Sequence, residues 1–387
     1  MREKKVRYFD YSLLFLVIFL VCFGLVILYS TSSYNGQLKF KDPAYYLKKQ
    51  LFASVLGIGA MFVISRIDYH IWKPFWMLAY VVALGFCILV LFIGDELNGA
   101  RRWLKLGPVS FQPSELAKLA MIIFLAVVVS RMPKKMKNLT NIFKVMLIII
   151  PVVGVVAKEN LSTAIIIMGI ALAMIFVASP KYLQFIIMGA AVAALGVVFL
   201  LFGDEYRKQR IAIWQAPEKF EKGYQTIQGL YAIGSGGLFG KGLGESMQKL
   251  GFVPESQNDM VFSIICEELG LFGAICVILL FLLLLWRFMV IANNAQDLYG
   301  ALLVTGIMAH IAIQVILNIA VVTNTIPNTG ISLPFISYGG TSVSFLLAEM
   351  GLALSVSRGI QLEPKEAREE AAVGRRRPGP RAQRHIS

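Results

Sequence analysis

The sequence predicts an all-α polytopic membrane protein: ten transmembrane helices, with one large extracellular loop between the seventh and the eighth. Three observations predict it. Hydrophobic residues make up 57% of the chain and charged residues only 16%, against about 25% charged in a typical soluble domain. Mean hydropathy is +0.69. Apolar runs approaching the roughly 20 residues needed to cross a bilayer recur along the whole chain. Too few polar residues remain to cover a soluble globule of 387 residues. That excludes an ordinary cytosolic enzyme, a disordered chain and a disulfide-stapled secreted domain.

The predicted spans are 12–30, 51–66, 75–94, 113–129, 143–157, 161–179, 182–203, 260–286, 299–322 and 337–357. The first follows a basic stretch (Arg2, Lys4, Lys5, Arg7) and has no small-residue cleavage site, so it reads as a retained anchor. The second is short, and the fifth contains Pro151. An even number of spans puts both termini on one side. With that side cytoplasmic, the inner segments hold 20 Lys and Arg and the short outer loops eight, as the positive-inside bias requires. The formal charge of +14 is therefore mainly topological and not a nucleic-acid footprint. The four cysteines (Cys22, Cys87, Cys266, Cys276) all lie within spans and read as packing residues. No His, Cys or carboxylate cluster has zinc spacing, and no Walker A or dinucleotide fingerprint occurs.

The exceptional segment is 204–259, since most connections have a median of about 4–6 residues. Its aromatic content argues for order. The glycine-dense stretch Gly234–Gly244 permits two readings: tight turns, or backbone amides cradling a phosphate. Asp259 stands where the chain enters the eighth span. It could cap that helix, or act as a general base at the membrane–water boundary. Burial would raise its pKa and a nearby cation would lower it.

Charges inside spans are costly and invite functional readings. Glu115 and Lys118 stand at i,i+3 in the fourth span, either as a self-neutralising pair or as a polar lining for a lipid headgroup. Glu267, Glu268 and Glu349 read as buried hydrogen-bonded carboxyls, and His310 with Gln314 as an interhelical contact. The outer loop after the third span, with Asn98–Pro108, sets Arg101 and Arg102 beside Trp103. That suits a diphosphate at headgroup level or plain lipid anchoring. Lys48-Lys49-Gln50 invites the same two readings. The last outer loop, Pro327–Ser342, is rich in breakers and hydroxyls, as a re-entrant segment lining a cavity would be.

Six stretches in this order resemble the SEDS family (shape, elongation, division and sporulation) of peptidoglycan polymerases, from the first span through Arg358. They are Asn98–Trp103, Gln112-Pro113-Ser114-Glu115, Gly223-Tyr224-Gln225 with Gln228, Ala232–Gly237, Pro254-Glu255 with Asp259, and Leu333–Gly340. The stretch Ile313–Thr323 is more similar to the division and sporulation branch than to the rod-elongation branch.

The resemblance implies lipid II polymerisation outside the bacterial cytoplasmic membrane, with Asp259 as general base. Arg101, Lys49 and Arg210 would stabilise the departing diphosphate. Glu115, Lys118, Gln225, Ser337 and Gly339 would contribute to substrate binding. It implies no certain cofactor, although a divalent cation (Mg or Mn) could assist the diphosphate. It also implies partners: a class B penicillin-binding protein to cross-link the strands, since nothing in this chain resembles a transpeptidase, and other division or sporulation membrane proteins. Asn160 and Ala216 stand where many members have aspartate.

The expected organisation is a membrane domain over 1–357 and a basic, disordered cytoplasmic tail over 358–387. Two other functions stay open at this stage: a lipid II flippase, and a non-catalytic division scaffold.

Overall fold

A computed structural model of the protein describes residues 8–97, 100–106, 109–179, 183, 186, 187, 189, 190 and 205–360. The seventh predicted span, 182–203, and the tail beyond Ile360 therefore lie almost wholly outside the described residues. Nine helices among the described residues are long and apolar enough to cross a membrane, and they match the other nine predicted spans.

The first helix, α1 (Tyr11–Phe40), is capped by Asp10, whose carboxylate accepts from Leu13 N at 2.8 Å. It ends at Lys41, which takes a left-handed conformation. It runs ten residues past its predicted end because Thr31–Phe40, though polar, continues the helix above the apolar part. Next come α2 (Tyr45–Arg66) and α3 (Trp76–Ile93). The short second span is a full-length helix after all, because Tyr45–Gln50 supplies its first turns.

The outer loop after the third span is a small antiparallel sheet: β1 (Asp95–Leu97), β2 (Ala100–Leu106) and β3 (Val109–Phe111), in the order β1-β2-β3. The sequence reading had only a loop there. The signal was present in the Asn98-Gly99 dipeptide beside an alternating segment, a strong hairpin mark.

The chain continues as α4 (Pro113–Arg131), α5 (Leu139–Glu159, with Pro151 inside) and α6 (Leu161–Ala178). In the long outer loop lie α7 (Glu205–Gln215) and α8 (Tyr224–Ser235). The bundle closes with α9 (Val261–Asn293), α10 (Leu298–Val322) and α11 (Gly340–Gly359).

Burial sorts the helices into a centre and a rim. The apolar window of α4 is 83% buried and that of α11 72%, whereas those of α2 and α3 are 22% and 17% buried. A helix apolar all round that is buried on few sides faces lipid on the rest. So α4, α10 and α11 form the protein-packed core, and α2, α3 and α5 form much of the lipid-facing rim. The α9 helix is broken at Gly270, whose φ of 67° and ψ of −166° are accessible in practice only to glycine. Its outer segment therefore belongs with the loops above it.

Candidate active site

Asp259 lies two residues before α9 and is 9% exposed. Its place is fixed from α10: Asn318, fully buried, donates through Nδ2 to the Asp259 carbonyl at 2.8 Å and to the Ile331 carbonyl at 2.7 Å. The carboxylate itself accepts from Gln225 Nε2 of α8 at a long 3.4 Å. On the other side stands Gly330, in a left-handed conformation, where a Cβ would come within 3.9 Å of Asp259 Oδ2.

Burial pushes the Asp259 carboxyl up to about 7, and the negative charge of Glu255 pushes the same way. Its own amide, Gln225 and the Met260 amide pull it back; the capping reading fails, since Met260 holds the N-cap position of α9 and no side chain caps it. Among the described residues no cation lies within ion-pair distance of it. The arrangement is a carboxylate poised to change protonation near neutrality at the mouth of a bundle, as proton transfer requires.

The loop between α10 and α11 wraps this position. Its backbone is non-helical at membrane level, so each polar group needs a partner. Side chains from several elements supply them. Arg210 of α7 donates to the Asn328 carbonyl at 3.3 Å and Ser162 of α6 to the Thr329 carbonyl at 3.0 Å. Gln314 of α10 donates to the Ser332 carbonyl at 3.0 Å. Ser337, buried, accepts from Leu333 N at 2.8 Å. Gln50 of α2 accepts from Gly339 N at 3.1 Å and donates to the Ser337 carbonyl at 3.4 Å. The Tyr338 amide donates to the carbonyl of Gln257, two residues before Asp259, at 2.9 Å. The loop is thus tied to Arg210, to Gln50 and, through Tyr338 and Asn318, to the Asp259 segment, whereas Gln225 reaches Asp259 directly. Lys49, beside Gln50, is exposed and donates to Tyr45 Oη at 2.6 Å.

The Glu115–Lys118 pair is deep in the same network. The ion pair measures 2.9 Å, with side-chain exposures of 8% and 2%. Glu115 also accepts from Ser342 Oγ at 3.0 Å, and Lys118 donates to Gln314 Oε1 at 3.4 Å. Gln314 therefore connects the pair to the loop that surrounds Asp259. His310 pairs with Glu349 at 2.8 Å instead. The interhelical reading of His310 and Gln314 holds, through different partners for each.

Arg101 sits on β2. Its amide donates to Glu159 Oε2 at 2.7 Å, and its guanidinium to the Leu91 and Phe92 carbonyls at 3.3 and 3.5 Å. These contacts tie it to the outer ends of α3 and α5, and none of them joins it to Asp259.

In the glycine-dense loop three amides are engaged within the protein, as tight turns require: Gly240 N donates to Gly236 O at 2.8 Å, Lys241 N to Glu267 O at 2.9 Å and Gly242 N to Glu268 O at 3.0 Å. The glycines are there for close approach, because a Cβ on Gly240 would meet Glu268 O at 2.1 Å. Glu267 and Glu268 are buried and paired, Glu267 with Lys241 at 2.6 Å and Glu268 with Lys249 at 2.8 Å.

Two residues of the site escaped sequence reasoning as such: Asn318 and Gln257. The signal for Asn318 was a lone amide in an apolar span, which must find partners inside the bundle. Among the described residues no group of three or more His, Cys, Asp or Glu side chains could hold a metal ion.

Residues 11–361 match the FtsW/RodA/SpoVE family, described as cell cycle proteins. The chain is 41% identical over 361 residues to stage V sporulation protein E of Bacillus subtilis strain 168, covering 90% of this chain and 97% of that protein. It is 37% identical over 363 residues to a probable peptidoglycan glycosyltransferase FtsW of Geobacter sp. strain M18, covering 92% and 98%. A solved structure described as structural coordination of polymerization and crosslinking by a peptidoglycan synthase complex superposes with a TM-score of 0.74 at 27% identity, covering 90% of this chain and 98% of that one. The rod shape determining protein RodA of Thermus thermophilus superposes at 0.67 with 28% identity, covering 92% and 98%.

Proposed function

The chain belongs to the FtsW/RodA/SpoVE family, and from that membership we infer that it is a multi-pass membrane peptidoglycan glycosyltransferase of the division and sporulation branch. It polymerises lipid II into glycan strands at the outer face of the cytoplasmic membrane. The observation that carries the chemistry is Asp259: a buried carboxyl with no cation in ion-pair distance among the described residues, held near neutrality at the mouth of α9.

The ionised carboxylate takes the proton from the 4-hydroxyl of the acceptor N-acetylglucosamine as that oxygen attacks the anomeric carbon of the donor strand. The bond from that carbon to the diphosphate breaks, undecaprenyl diphosphate leaves, and the configuration inverts. Charge developing on the diphosphate needs fixed cations. Arg101, Lys49 and Arg210 take that role, with Arg210 also bracing the loop that wraps Asp259. Gln225 orients the base. Ser337 and Gly339, with the Glu115–Lys118 pair behind them, line the acceptor side. Among the described residues no group of three or more His, Cys, Asp or Glu side chains is placed to hold magnesium or manganese.

Both termini lie in the cytoplasm in this proposal, supported by 20 basic residues in the inner segments against eight in the short outer loops. The membrane domain spans 1–357 and the basic tail follows. Cross-linking falls to a separate class B penicillin-binding protein. The superposition on a synthase complex that polymerises and cross-links supports that division of labour.

The test is polymerisation of purified lipid II by the full chain with its partner. Asp259→Ala should lower the rate by about 10²–10⁴, the usual worth of a general base, while membrane insertion and partner binding persist. An unchanged rate would overturn the assignment. Transbilayer movement of labelled lipid II without glycan chains would instead identify a flippase.

A further inference from the structure

The glycine-dense loop has a second property unrelated to catalysis. At the Gly270 break, the amides of Leu271 and Phe272 lose their helical acceptors. They donate instead to the Gly237 and Leu238 carbonyls, at 2.9 and 3.0 Å. The loop is therefore fixed at the level of Phe272, not above the end of the helix.

That level can be placed against the bilayer. From Phe272 to the end of α9 at Asn293 the rise is about 32 Å, and to Arg287 about 22 Å. The hydrocarbon core is about 30 Å thick. With the inner boundary anywhere between Arg287 and Asn293, the loop tip lies between the outer edge of the hydrocarbon and about 8 Å inside it.

The side chains at this level suit that position. Phe239 is 80% exposed and Leu238 66%. Directly below them on α9, Leu271, Phe272 and Ile275 are also exposed and continue the lipid-facing side of the helix. Much of the loop's polar backbone is turned to the protein: the Lys241 and Gly242 amides donate to the Glu267 and Glu268 carbonyls, the Gly237 and Leu238 carbonyls accept from α9, and Lys241 is neutralised by Glu267. Backbone tolerates hydrocarbon only when so satisfied.

We propose that the loop Gly236–Gly242 is an insertion element that places Leu238 and Phe239 among the acyl chains of the outer leaflet, seating the outer segment of α9, and with it the Asp259 loop, on the lipid surface. The interaction surface is Leu238 and Phe239 with Leu271, Phe272 and Ile275, and its occupant is phospholipid.

The test uses the full chain, with the native cysteines replaced, in nanodiscs of phosphatidylethanolamine and phosphatidylglycerol. Single variants Phe239→Cys, Phe272→Cys and Glu218→Cys carry an environment-sensitive fluorophore. Glu218 is an exposed position between α7 and α8. Lipid spin-labelled near the top of the acyl chain should quench the 239 and 272 probes at least about threefold more than the 218 probe, and iodide should quench them correspondingly less. A 239 probe as open to iodide as the 218 probe would place the loop in water. A 239 probe protected from both quenchers would mean that protein covers the patch. Either result overturns the proposal. Monodisperse elution of each labelled variant and a blue-shifted 272 probe show that the fold is intact.

Discussion

Two buried carboxylates, Asp259 and Glu115, are connected to one hydrogen-bonded loop and yet are treated in opposite ways. Glu115 has Lys118 at 2.9 Å and a serine donor at 3.0 Å. Asp259 has a glutamine at 3.4 Å, a neighbouring negative charge and no cation within reach among the described residues. A buried charge is tolerated when it is paired; unpaired, it gains a proton instead. Glu267 and Glu268, only eight and nine residues beyond Asp259, have a lysine each. Burial alone thus does not distinguish the base. The missing cation does.

The largest expected effect comes from making Glu115 resemble Asp259. Lys118→Met leaves a carboxylate buried without a partner and should cost about 3–5 kcal/mol of stability, read as loss of thermal resistance in detergent. Adding Glu115→Leu should restore most of it. A single variant as stable as the parent would mean the pair is not desolvated.

Next is pH. Asp259 works as a base only when ionised, and its carboxyl is pushed up to about 7. Below that value kcat/KM should fall about tenfold per unit, and above it the rate should level off. A limb near 4 would show that the site is wetter than its burial indicates.

Supplying the missing cation is the converse experiment. Gln225→Lys should move the acid limb down by about one unit or more and lower the plateau severalfold, because a stabilised carboxylate is a weaker base. The smallest effect is expected from Glu255→Gln. Removing that negative charge should lower the acid limb by a few tenths of a unit with little change in plateau. An upward shift in either variant would break the comparison.

Much of this was legible in the chain. Spans announce themselves because twenty apolar residues have few alternatives, and Glu115 with Lys118 was visible because i,i+3 spacing is a local property. Asp259 stood out by its position at a helix entrance. Its surroundings did not, since Gln225, Asn318 and Gly330 come from three distant segments whose register is set by packing. The glycine loop stayed open between two readings for a related reason: composition shows that amides are available but not which carbonyls claim them. The extension of α1 through Thr31–Phe40 was missed because hydropathy marks the end of the apolar part, not of the helix.

The break at Gly270 makes α9 two mechanical parts. Below it a straight rod shares the fate of the bilayer. Above it a short stub, held by two lysine pairs and the loop's amides, moves with whatever moves the outer surface. A push on that surface, from a protein above or from thinning of the leaflet beneath, would therefore reach the stub and Asp259 first, with the long rod serving as the anvil against which they shift.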